Sequence, residues 1–81
     1  MEFCVTEKDI ARAWNSSTGC PVAMALRRIF DTNNVCVRTR EVDINGNRYD
    51  LPQAVYAYVL SYDTCGFVRP MKCKWKDIES K

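Results

Sequence analysis

The segment Thr18-Gly19-Cys20-Pro21-Val22-Ala23-Met24-Ala25-Leu26-Arg27-Arg28 holds the residues best suited to chemistry in this chain. Proline is favoured at the first helical position, where its missing N–H costs nothing, so Pro21 predicts a helix starting there. The unpaired backbone N–H groups around Val22 and Ala23, at the positive end of the helix dipole, would suit an anion such as the phosphate of a nucleotide. Gly19 would let that anion approach closely, and Arg12 would add a countercharge. A thiol at the same place, Cys20, would have a depressed pKa and hence be reactive. The structural alternative is that Cys20 or Thr18 caps the helix, while Ala23 and Ala25 permit close packing on a sheet.

Three further sets of residues suit recognition. Arg38 and Arg40 would join Arg27 and Arg28 in one patch if the helix packs beside their strand, giving bidentate donors for phosphate or carboxylate. Lys72, Lys74 and Lys76 alternate with Met71, Cys73 and Trp75, which predicts a half-buried strand with one basic face. That face would follow an acidic partner or a nucleic-acid backbone, or else act as a solvated guard against edge-strand aggregation. Tyr56 is the tyrosine expected to face outward from a later helix, and exposed tyrosine is favoured at interfaces.

Catalytic and metal chemistry find little support. The chain has no histidine, which excludes Ser-His-Asp and Cys-His arrangements and histidine-based metal hydrolases. Its five cysteines include no C-x2-C pair, and Cys4, Cys36 and Cys73 sit in apparent strands, so buried free thiols are expected over zinc or disulfides. Asp43, Asp50 and Asp63 lack any metal-binding spacing. The expectation is a non-enzymatic protein with no cofactor and no metal. A formal net charge of only +2 argues against a protein built mainly to neutralise nucleic-acid phosphates. No apolar run reaches the ~20 residues that span a bilayer, so no membrane partner is expected. Residues 1–8 show no basic region followed by an apolar core, so a cytoplasmic protein is expected.

The elements that must position these residues follow from periodicity. Residues 1–81 read as a single domain. Phe3 and Val5, flanking Cys4, predict a short strand. Thr6 and Asp9 resemble a capping box opening a helix from about Glu7 to Ala13, with Ile10 and Trp14 turned inward. Asn15 to Gly19 is loop by composition. Val22, Leu26, Ile29 and Phe30 form one apolar face of the helix after Pro21. Val35 and Val37 are strand material, and Asn45-Gly46 predicts a type I′ hairpin joining Glu41–Ile44 to Asn47–Asp50. Pro52 opens a second long helix to about Tyr62, with Val55, Val59 or Tyr58, and Tyr62 inward. Asp63 to Gly66 breaks the chain, and Phe67-Val68 begins the last extended segment. This order predicts an α+β fold with an antiparallel or mixed sheet of three to five strands and two main helices on one face.

The combination V-T-E-K-D-I, C-P-V-A-M-A-L-R-R, L-P-Q-A-V-Y-A-Y-V-L-S-Y-D and a closing strand after V-R-P resembles a family of short uncharacterised proteins encoded by bacteriophages and prophages. Lys72, Lys74 and Lys76 set the closing strand apart from that pattern. The resemblance implies a phage origin, and small phage proteins are often host-takeover or counter-defence factors. The leading expectation is therefore a binding protein that inhibits a host protein in the host cytoplasm. A sponge for a phosphorylated nucleotide is the first alternative, and would require a homo-oligomer to enclose its ligand. Nucleic-acid binding through the lysine strand is the second.

Overall fold

A computed structural model describes residues 2–75 of the 81. The elements run β1 (Glu2–Val5), α1 (Glu7–Arg12), α2 (Pro21–Phe30), β2 (Val35–Val37), β3 (Glu41–Ile44), β4 (Asn47–Asp50), α3 (Gln53–Cys65) and β5 (Met71–Lys74). The fold is α+β with antiparallel pairing throughout, and the five strands divide between two ladders. One pairs β1 with β5, and the other has the order β2-β3-β4. The first ladder joins the two ends of the described chain, with Phe3 opposite Cys73 and Val5 opposite Met71.

Helix α2 holds the two ladders together. It packs against α1, β1, β2 and α3. Its Val22, Ala23, Ala25 and Leu26 are completely buried, and Ile29 and Phe30 pack at the edge of the same core. Burial of each large apolar side chain stabilises the fold by roughly 1.5–3 kcal/mol, and the two alanines let neighbouring backbones come close. Phe3 and Trp75 meet edge to face at 5.3 Å under the β1–β5 ladder, in a geometry that complements the charge distribution of the two rings.

Local chemistry sets the boundaries. Thr6 and Asp9 form the capping box, each side chain bonding the other's backbone N–H. Asp31 ends α2 in the left-handed region, at φ 51°. Asn45 and Gly46 take φ of 52° and 86°, the positive values a type I′ hairpin needs. The hairpin tip is tied back to the loop after α2, because Asn45 N–H donates to the Asn34 carbonyl and the Thr32 hydroxyl donates to Asn45 Oδ1.

The structure departs from the sequence expectation in three places. Helix α3 continues through Asp63 to Cys65 and stops at Gly66, whose φ of 71° caps it, so the break is one turn later than composition suggests. Phe67 and Val68 are not strand: Phe67 is 69% exposed, and β5 begins only at Met71. Trp14 does not enter the core. It is 50% exposed and lies over Gly19, which is buried beneath it.

A Cβ at Gly19 would overlap the Trp14 indole ring. Gly19→Ala is therefore expected to destabilise the protein by about 1–3 kcal/mol in urea unfolding, as an overpacked contact does. Removing the ring as well, in Trp14→Ala/Gly19→Ala, should make the alanine itself nearly neutral. A single Gly19→Ala variant with wild-type stability would contradict this packing.

Candidate functional site

The start of α2 is built as a structural junction. The Cys20 sulfur accepts the Ala23 N–H at 3.5 Å, capping the helix. Val22 and Ala23 are fully buried, and Gly19 is covered by Trp14. Burial pushes the Cys20 thiol up, and the nearby Asp63 carboxylate adds to that direction, outweighing the hydrogen bonds from the helix start. The set Gly19, Cys20, Val22, Ala23 and Arg12 is thus not one anion site. The donors are covered, the thiol is suppressed rather than activated, and Arg12 lies in a different groove. Alkylation under native conditions is expected to label exposed Cys65 first and Cys20 only on unfolding.

That groove runs between α1 and the second half of α2. It has a volume of about 660 Å³ and brings Lys8 and Arg12 from α1 beside Arg27 and Arg28 from α2, with Asn33 and Met24 completing the wall. Lys8 and Arg12 are four residues apart and so share one face of α1. At its base the Arg28 guanidinium grips Asp9 with two hydrogen bonds, Nη2 to Oδ2 at 2.9 Å and Nε to Oδ1 at 3.2 Å. It also donates to the Cys4 carbonyl of β1 at 3.1 Å. Burial alone would push the Asp9 carboxyl up. The hydrogen bonds from Arg28 and from the backbone and hydroxyl of Thr6, with the Arg28 charge, outweigh it and hold the carboxyl below its ordinary value. The same partner pushes Arg28 up.

Arg27 is fixed by neutral partners. Its Nη2 donates to Asn33 Oδ1 at 2.9 Å and its Nη1 faces the Met24 sulfur at 3.6 Å. Among the described residues no carboxylate lies within salt-bridge distance of Lys8, Arg12 or Arg27.

The four arginines expected to share one patch instead go to three places. Arg27 and Arg28 line the groove. Arg38 pairs with Asp43 at 2.9 Å on the exposed hairpin, where Arg48 also reaches Asp43. These hydrogen bonds hold the Asp43 carboxyl down and push Arg38 up. Arg40 lies over the Tyr56 ring, 5.2 Å from its centre. The patch fails because the turn between β2 and β3 carries Arg38 and Arg40 to α3 and the hairpin, away from the C-terminal half of α2.

Two recesses line that α3 flank. Arg40, Leu51, Gln53 and Tyr56 enclose one of about 230 Å³. Val37, Arg38 and Thr39 face Val59, Leu60 and Asp63 across the other, of about 280 Å³. Tyr56 and Leu60 are four residues apart on α3, so one side of the helix presents both, and Leu60 is 43% exposed. Tyr58 is directed elsewhere. Its hydroxyl donates to the Arg69 carbonyl at 2.7 Å, and burial, with the charges of Asp9 and Cys20, leaves it pushed up to about 12.

On β5, Lys72 and Lys74 are exposed and alternate with half-buried Met71 and Cys73. Lys74 stands directly opposite Glu2 in the ladder, which offsets part of the basic face. Lys76 lies outside the described residues. Among the described residues no cluster of three or more potential ligands could hold a metal ion, and no helix is long and apolar enough to cross a membrane. Comparison with protein-family models, curated proteins and solved structures finds no match for this chain.

Lys8, Met24 and Asn33 were not singled out by the sequence. The Lys8/Arg12 spacing was the one available signal, whereas the Asp9–Arg28 contact spans nineteen residues and leaves no local trace.

A depressed carboxyl contributes stability that is present above its unfolded value of 3.8 and is lost as pH falls through the lower folded value. Arg28 is half-exposed, so solvent screening limits the Asp9 contribution to about 1–2 kcal/mol. Asp9→Asn should lower stability at pH 7 by that amount and flatten the acid limb of stability against pH. Parallel curves for wild type and Asp9→Asn below pH ~4 would contradict the assignment.

Proposed function

We propose that this chain is a small, non-enzymatic binding protein of phage type that acts on a protein of the host cell by inhibiting a defence component. The supporting observation is the Arg40–Tyr56 stack, at 5.2 Å, beside exposed Leu60 on the α3 flank. Arginine and tyrosine are the residue types that most often dominate protein interfaces, and a stacked pair loses little side-chain freedom on docking. Arg38 and Thr39, across the neighbouring recess from Leu60, supply a polar rim. Recesses of about 230 and 280 Å³ are of a size to receive single side chains of a partner. The absence of histidine from the chain is the sequence ground for a binding role over acid–base chemistry.

The test is affinity capture from bacterial lysate with wild type, Arg40→Ala and Tyr56→Ala, using Arg69→Ala, at an exposed side chain outside the flank, as a charge-matched control. A specific host protein should be retained by wild type and Arg69→Ala. Its affinity should fall by at least about tenfold, on the order of 1.4 kcal/mol or more, in the two flank variants. Equal capture by all four proteins, or none above background, would overturn the proposal.

A further inference from the structure

The groove between α1 and α2 is separate from the α3 flank and independent of the protein-binding proposal. The geometry points to a binding site there for the phosphoryl group of an organic phosphate of nucleotide size. Three features carry this. The concavity, about 660 Å³, is of the size that holds small organic ligands, and one copy of the chain forms it. Its cations are differently committed: Arg28 is held by Asp9, whereas Lys8, Arg12 and Arg27 have no carboxylate within salt-bridge distance among the described residues.

Arg27 is also pre-oriented. Asn33 and the Met24 sulfur hold its guanidinium without neutralising it, so the remaining N–H donors keep full charge in a fixed plane. A planar guanidinium fork suits the tetrahedral oxygens of a phosphoryl group, and a flanking lysine adds a point charge. Met24, on the same wall, offers a polarisable apolar surface for the organic portion of the ligand. Asp9 does not oppose the anion strongly, since its side chain is 7% exposed and its charge is taken up by Arg28. Glu7 is the remaining carboxylate at the rim, and it sets a preference for ligands whose phosphoryl group enters from the Arg12–Arg27 side.

The experiment is isothermal titration of the full chain at low salt with AMP, ATP, inorganic phosphate and adenosine. The variants are Arg27→Gln and Arg12→Gln, with Arg69→Gln, at an exposed side chain outside the groove, as a control for net charge. The Arg12 side chain makes no hydrogen bond or ion pair with the described residues, so its variant keeps the test valid if Arg27→Gln fails to fold. AMP and ATP should bind, more tightly than inorganic phosphate, and adenosine should not. Each groove variant should weaken AMP by at least about tenfold, as loss of a charge-assisted hydrogen bond does, and Arg69→Gln should leave it unchanged. Absence of binding by both nucleotides, AMP no tighter than inorganic phosphate, adenosine equal to AMP, or an equal loss in Arg69→Gln would each overturn the assignment.

Discussion

The bidentate contact between Arg28 and Asp9 is the constraint on which the arrangement of this protein depends. It is one interaction with three structural consequences. Asp9 already closes the capping box of α1, so the Arg28 fork fixes α1 to α2 through the residue that starts the shorter helix. The additional bond to the Cys4 carbonyl extends the clamp to β1. A six-residue helix has too few internal hydrogen bonds to hold itself, so its position depends on such external contacts. The clamp also divides the charges. Arg28 is spent on the fold, and the neighbouring Lys8, Arg12 and Arg27 remain as the cations of the groove.

Helix α2 plays the matching part in the apolar core. It meets both ladders and both other helices, and its two ends are specialised differently. The first turn is sealed by the Cys20 cap, the Val22–Ala23 packing and the Trp14 cover over Gly19. The last turns carry Arg27 and Arg28 outward to the groove. A short chain has little interior to spare, so the first turn of its central helix is given to packing while the last turns face solvent. The α3 flank divides in the same way: Val55 and Val59 fill the core, Tyr56 is half-buried under Arg40, and Leu60 is exposed.

Local chemistry was legible before the structure. Pro21, the Thr6/Asp9 box and Asn45-Gly46 each act through their own backbone or a neighbour within three residues, so their positions could be derived from sequence alone. The apolar face of α2 was readable for the same reason, because helical periodicity is a local property. What escaped was determined by contacts distant in the chain. Strands could be found but not their division into two ladders, since β1 and β5 come from opposite ends of the chain. Arg12 was a candidate anion ligand only by residue type, and the groove it lines is completed by α2 and Asn33, not by the Gly19–Ala23 helix start. Trp14 misled for a related reason: an indole suits a core, but the loop folds back so that the ring shields a glycine instead.

Asp9 and Arg28 act as one clamp rather than as two independent polar groups. A double-mutant cycle with Asp9→Asn, Arg28→Met and the pair, followed by urea unfolding at neutral pH, measures that directly. A coupling energy of about 1–2 kcal/mol is expected, in the range found for residues in one hydrogen-bonded network. Additive losses, with coupling indistinguishable from zero, would show two independent groups and leave the position of α1 without its physical cause.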